Sequence, residues 1–258
     1  MEVRLFDRTT RSTTLSQAGE EFLPNARHLL IDLGRAIESV RDLERVTRGT
    51  VRIAWTPLYA ATFLPRVVRS FRESHPGVTV YVLDSLHEEA MNRVLSGAAD
   101  LGVAPQRKTS LLLDQEFVLK DRMWMVCRAD HALARRKSVE WKQLLREPFI
   151  SLTQDFTLQL QSDLLRHDPS LLLEPAHSVS LITTALGMVE SGYGLTVQPE
   201  RALPLLAPFG LVATKVQGPI VYRHLSLFRR QGRAVSPAAT AFAEHLRSLA
   251  AKTGNVAG

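Results

Sequence analysis

The most regular apolar pattern in the chain runs from about Gln17 to Arg48, where Leu23, Ala26, Leu30, Leu33, Ile37 and Val40 recur three and four residues apart. That alternation is the a/d seam of a coiled coil, and the charged Arg27, Asp32, Arg35, Glu38 and Arg41 fall off it. It predicts one long amphipathic helix within residues 16–49. A seam of this kind cannot be buried by its own helix, so the six apolar residues are the expected dimerisation contacts with a second copy. Ser16 is placed to cap the first turn, and Glu20 and Glu21 suit the positive helix end. Pro24 lacks an N–H and is expected to bend or interrupt the first turns, while Gly49 suits a left-handed stop.

In front of the helix, MEVRLFDRTTRSTTL reads as a small hairpin: Val3, Leu5 and Phe6 give apolar contacts and Thr13-Thr14 return from a tip at 8–11. Behind it the pattern becomes alternating strand and helix. Strands are predicted at Thr50–Trp55, Val78–Leu83 and Asp100–Ala104. The helices between them carry Phe63, Leu64, Val67, Val68 and Phe71 in one case and open on Ser85-Leu86-His87-Glu88, with capping-box spacing, in the other. Pro65 delays the regular part of the first. Strand–helix–strand at these lengths argues for right-handed parallel crossovers. Further strands are predicted at Leu119–Arg128, His177–Val179 and Ile220–Phe228. Helices are predicted near Leu158–Arg166, at Ile182, Ala185, Leu186 and Val189, and from Ser236-Pro237 through Ala239, Phe242, Leu246 and Leu249, with fraying from Lys252.

Composition adds limits rather than an activity. The chain has 258 residues, 45% hydrophobic and 22% charged, enough for a sizeable core. Its one cysteine, Cys127, excludes an intrachain disulfide and suits a reducing cytosol. No signal segment opens the chain and no apolar run approaches a membrane span. A net charge of +6 allows an anionic partner without naming one. The eight histidines lack metal-motif spacing, and His131 and His224 read as partly buried hydrogen-bonding residues. Neither a nucleophile elbow nor a phosphate-loop motif is present, and no metal or cofactor is expected. A catalytic role is therefore not expected.

The phrase RLFDRTTRSTTLSQAGEEFL resembles the wing and linker-helix entry of LysR-type transcriptional regulators, at Arg4, Leu5, Phe6, Arg8, Leu15, Ala18, Gly19 and Glu20, with Ser16 where that family usually has Thr. Later text is similar to the same family. His131, Leu133, Ala134, Leu144, Pro148, Phe149 and Ile150 match its second subdomain, with Ala132 replacing the usual proline. Ser191 to Pro199 follows its G-x-G-x-x-x-x-P strand entry. The resemblance implies an α/β, two-lobed, periplasmic-binding-protein-like effector domain preceded by a wing remnant (1–15) and a dimerising linker helix (16–49). Lobe I would be 50–121 with 222–252, lobe II 122–221. The family's scanning and recognition helices would precede Glu2, so the resemblance also implies an N-terminally incomplete regulator or a misplaced start.

With that resemblance, polar residues read as helix openings after strands (Thr56, Ser85, Thr153, Gln198) are expected to gather around a small, anionic effector in the inter-lobe cleft. Ser151 and Val197 would line the second lobe, and Pro57, Leu58 and Val103 would give apolar contact. Taken singly, each polar residue is explained by capping. Arg4, Arg8 and Arg11 are the expected DNA contacts, to phosphates rather than bases, so binding by these residues alone should be weak and unselective. The expected protein is a cytoplasmic regulator with no membrane partner, a homodimer or homotetramer, binding an effector and DNA. The alternative is a solute-binding or transport receptor of the same fold, against which the missing secretion signal, the basic wing and the seam all count.

Overall fold

The computed structural model describes residues 3–8, 12–41, 48–107 and 111–254, without the side chains of 8, 28, 31, 32, 35–41, 154 and 254. Strands β1 (Phe6–Arg8) and β2 (Thr13–Leu15) pair antiparallel, Phe6 against Leu15, which is the hairpin expected. Its tip lies outside the described residues. Helix α1 (Gln17–Arg41) follows. The Ser16 hydroxyl accepts from Gly19 N–H at 3.1 Å and donates to Arg4 C=O at 2.6 Å, so one residue caps the helix and ties the hairpin to it. Gly19 makes that junction sterically feasible, because a Cβ there would stand 2.1 Å from Leu5 C=O.

Two expectations for this region are corrected. Pro24 lies inside α1 without interrupting it; it removes one N–H from a helix that is otherwise continuous. Gly49 is not a left-handed helical stop: with φ 144° it opens strand β3 (Gly49–Trp55), paired to Val78. Residues 42–47 lie outside the described residues.

By contacts the chain forms two compact units: Met1–Ala60, Pro65–Val118 and Ser226–Gly258 make the first, Ala61–Leu64 and Leu119–Leu225 the second. After β3 come α2 (Pro57–Thr62) and α3 (Leu64–Ser74), broken at Phe63, one residue before Leu64-Pro65. Then follow β4 (Val78–Asp84), α4 (His87–Leu95), β5 (Leu101–Pro105) and the long β6 (Leu113–Arg128), which starts six residues before the predicted strand and passes from the first unit into the second. In the first unit β3 is central and parallel to both β4 and β5, as the crossover rule requires. Ile53, Ala54 and Trp55 are all buried, so both faces of the strand are covered. Ala90 and Val94 of α4 pack with Ala54 and Phe228.

The second unit adds β7 (Ser138–Glu140), α5 (Trp141–Leu144), β8 (Ile150–Leu152), α6 (Gln154–Leu165), β9 (His177–Val179), α7 (Ile182–Glu190), β10 (Thr196–Pro199) and β11 (Leu211–Gln217). Here β6 is sandwiched antiparallel between β10 and β11, β11 runs parallel to β7, and β8 pairs parallel with β9. All four apolar residues predicted for α7 are buried. Trp141 is fully buried and its Nε1–H donates to Pro219 C=O at 2.8 Å. The chain returns through β12 (Tyr222–Arg230) to α8 (Pro237–Gly254), capped by Ser236 Oγ accepting from Ala239 N–H. Phe242 of α8 meets Phe71 of α3 edge-on, centroids 5.1 Å apart. The helix runs two residues past Lys252, where fraying was expected.

Candidate functional site

In the first unit the parallel register brings the carboxyl ends of β3, β4 and β5 side by side: Trp55 stands opposite Asp84 on one flank and Val103 on the other. Thr56 N–H donates to Val103 C=O at 3.2 Å, and Ser85 N–H to Trp55 C=O at 3.0 Å, which stitches the three ends together. Thr56 opens α2: Pro57 follows at the first helical position and Thr56 C=O accepts from Ala60 N–H. Its hydroxyl is buried and has no hydrogen-bond partner. Pro57 and Leu58 are half-buried beside it.

Ser85 does not cap α4 as expected. Leu86 holds that position, and Ser85 Oγ donates back to Leu83 C=O at 3.0 Å. The predicted box fails because Ser85 is still extending β4, its N–H engaged with β3. Val103 is fully buried beside Trp55.

In the second unit Thr153 does cap a helix, accepting from Phe156 N–H at 3.4 Å at the start of α6. Ser151 Oγ lies 2.5 Å from Thr157 Oγ1, and is fully buried. Gln198 is not a helix opening: it lies within β10, and Pro199 precedes the short 3-10 turn at 200–205. Its Nε2 donates to Thr196 Oγ1 at 3.1 Å, and Thr196 Oγ1 donates to Ile150 C=O at 2.7 Å. Its Oε1 is buried without a partner. Val197 is fully buried in the core with Met123, Met125 and Phe149.

Along α1, Leu23 and Ala26 are half-buried, while Leu30 and Leu33 are 69% and 58% exposed. Ile37 and Val40 lie among the side chains outside the described residues. Of the three hairpin arginines Arg4 is exposed; the Arg8 side chain and Arg11 lie outside the description.

The perturbed titrations stand apart from these sets. Burial, and then the charge of Asp130, pushes the Cys127 thiol up to about 11. Hydrogen bonds from Ser170, and then Lys142, hold Asp168 down to about 2. Among the described residues no three metal-capable side chains cluster, and no helix is long and apolar enough to cross a membrane. His131 accepts from Leu133 N–H at 3.2 Å, as its reading as a hydrogen-bonding residue requires; His224 is exposed rather than partly buried.

Sequence reasoning passed over Arg122, Trp124 and Lys215. Trp124 is opposite Gln198 on one side and Lys215 on the other. Period-two alternation in DRMWMVCR separates Arg122 and Trp124 from the core-facing Met123 and Met125, and that was the available signal. The strand partners could not be read, because register is a long-range property.

Parallel strand ends carrying polar groups, in an α/β chain of two units, define a periplasmic-binding-protein-like ligand domain. Residues 44–251 match the family model of the LysR substrate binding domain, and the chain belongs to the LysR-type transcriptional regulators. It is 30% identical over 242 residues to the uncharacterized HTH-type transcriptional regulator YbhD of Escherichia coli K12, covering 94% of this chain and 76% of that one. Among solved structures it is similar to the effector-binding domain of QuiR in complex with shikimate (TM-score 0.72, 18% identity, 80% of this chain and 98% of that one). It is also similar to full-length CbnR complexed with its target DNA (TM-score 0.71, 22% identity, 96% and 84%). At those identities the likeness establishes the fold. The family is one of regulators and not typically of enzymes, and a transport receptor is not favoured.

Proposed function

We propose that the chain is a cytoplasmic, DNA-binding, non-enzymatic regulator switched by a small anionic effector. Thr56, Pro57, Leu58 and Ser85 are the proposed contacts within the first unit, and Ser151, Thr153 and Gln198 are candidates within the second. The observation that carries this reading is the Thr56 hydroxyl, buried without a partner where three parallel strands end. Ligands of open α/β sheets bind at such ends. A buried hydroxyl left unpaired costs about 1–3 kcal/mol, a cost that a ligand oxygen accepting its proton would remove.

The exposed Leu30 and Leu33 of α1 support pairing of two copies through the seam of Leu23, Ala26, Leu30, Leu33, Ile37 and Val40. The hairpin fixed to the start of α1 supports a phosphate-contacting wing, with Arg4, Arg8 and Arg11 neutralising backbone charge and other side chains of the DNA-binding region reading bases. A protein that acts on chromosomal DNA works in the bacterial cytoplasm.

The test is Thr56→Val, which keeps the shape and deletes the hydroxyl. The variant should melt higher than the wild type when free, because an unpaired buried polar group is gone. A carboxylate that raises the wild-type Tm by mass action should raise that of the variant less. Equal ligand-dependent shifts in the two proteins would exclude Thr56 as a contact.

A further inference from the structure

We propose that one face of the β10–β6–β11 sheet in the second unit selects the effector's chemistry, and that it selects a carboxylic acid bearing a hydroxyl group set apart from the carboxylate. This rests on the reading above that the chain binds a small anionic effector.

Across β6, Trp124 is in register with Gln198 of β10 and with Lys215 of β11. Cross-strand partners project from the same face with Cβ atoms about 4.5–5.5 Å apart. Arg122, two residues earlier on β6, shares that face. The intervening residues Met123 and Met125, with Val197 and Val216, turn the other way into the core. One face therefore presents an amide, an indole, a guanidinium and an ammonium together.

The hydrogen-bond roles on this face are fixed by its neighbours. Thr196 has one hydroxyl proton, and it goes to Ile150 C=O at 2.7 Å. Thr196 Oγ1 can then only accept, so the Gln198 atom 3.1 Å from it must be the Nε2 donor. Turning the amide over would set two acceptors against each other. Gln198 Oε1 is thereby directed elsewhere, buried and unpartnered. Trp124 Nε1–H is also buried with no acceptor. Arg122 spends Nη2 on Val216 C=O at 2.9 Å and leaves Nε–H unmatched. Lys215 Nζ lies 5.6 Å from the centre of the Trp124 ring.

These groups ask for a specific complement. Two unmatched N–H donors beside two cations suit a carboxylate. A carboxylate cannot satisfy Gln198 Oε1, which needs a proton donor. An ammonium would donate to it, but would bring a positive charge beside Arg122 and Lys215. A neutral hydroxyl donates without that charge. Because Gln198 and Trp124 stand one cross-strand spacing apart, the hydroxyl and carboxylate should be separated by about 5 Å, which excludes a hydroxyl on the carbon next to the carboxylate.

The test uses matched acids on the whole chain: benzoate against 3-hydroxybenzoate, cyclohexanecarboxylate against its 3-hydroxy derivative, and 3-(aminomethyl)benzoate, whose alkylamine is protonated at neutral pH, as the charged-donor control. Calorimetry measures affinity, and quenching of Trp124, the half-buried one of three tryptophans, reports occupancy. In at least one pair the hydroxylated acid should bind about tenfold tighter, the value of one hydrogen bond to a buried partner. Gln198→Leu should bring the affinity ratio of the hydroxylated to the plain acid to about one, whatever it does to the plain acid itself; Trp124→Phe should weaken both members of the pair alike and keep the ratio. Gln198→Met, closer in shape, repeats the first variant should Gln198→Leu not fold. Acids that bind with no preference for the hydroxyl, a preference that survives in both Gln198 variants, or tighter binding of the ammonium-bearing control would overturn this inference and leave the proposed function standing. No binding by any of these acids would overturn the inference and count against the function together.

Discussion

Replacing Gly194 by alanine should destabilise the protein far more than the same change two residues earlier. Gly194 has φ 142°, and a Cβ built on it would stand 2.1 Å from Pro148 C=O and 2.8 Å from that carbonyl carbon. The obstacle is backbone and cannot swing aside. Restoring a contact of about 3.5 Å requires the start of β10 to move by more than an ångström from the segment entering β8. That shift pulls on Leu195 N–H to Pro148 C=O at 2.9 Å and on Ile150 N–H to Leu195 C=O at 2.8 Å. Overpacking costs about 1–3 kcal/mol, each weakened hydrogen bond about 1 kcal/mol and the positive φ about 1–2 kcal/mol. The sum is roughly 4–7 kcal/mol by these terms. Gly192, at φ 83° with nothing within 4 Å of an added Cβ, should show only the backbone cost of about 1–2 kcal/mol. At about 2–4 °C per kcal/mol for a chain of this size, calorimetric melting should separate the two variants by at least several degrees. Melting temperatures for Gly194→Ala and Gly192→Ala within a degree of each other would refute the packing account of this motif.

Three further outcomes are expected. Leu30→Asp with Leu33→Asp should lower the mass seen by light scattering, since each substitution places a charge in an apolar seam where desolvation is costly; an unchanged mass would refute that interface. Cys127 should resist thiol reagents at pH 8 in the native protein and react at once when unfolded. Its folded pKa of about 11 lies above the unfolded value of 9.0, so the unfolded chain loses the proton first and stability should fall as pH rises from about 9 to 11, a slope that Cys127→Ala should flatten. Asp168, held near 2 against an ordinary 3.8, contributes stability that is present above pH 4 and lost as pH falls toward 2; an acid limb unchanged in Asp168→Asn would contradict this.

The parts of the fold legible in the sequence were those set by local pattern. The apolar spacing of α7 and α8 and the strand text of β3, β4 and β9 each carry their own periodicity, and the observed elements follow them within a residue or two. Ser85 was misread because a capping box and a strand end have the same local text. Only the β3–β4 pairing decides that the Ser85 N–H is already engaged. Val103 and Val197 are fully buried in strands buried on both faces, an environment that their strand text alone did not fix. The same limitation hid Trp124 and Lys215. Their relation to Gln198 exists only once β6 is set between β10 and β11, and nothing in a linear reading fixes that register.

The central claim is that an acid bound by this domain alters DNA recognition by the protein that contains it. The direct measurement is an anisotropy titration of the protein as its gene encodes it, on a duplex from its own promoter region and on a scrambled duplex, at two salt concentrations, with and without an acid shown to raise its Tm. The account predicts promoter-selective binding whose affinity shifts about 5–150-fold with the acid, the usual range of allosteric coupling, together with weaker binding to both duplexes at the higher salt. An acid that binds and stabilises the protein while leaving promoter affinity unchanged at both salt concentrations would contradict it.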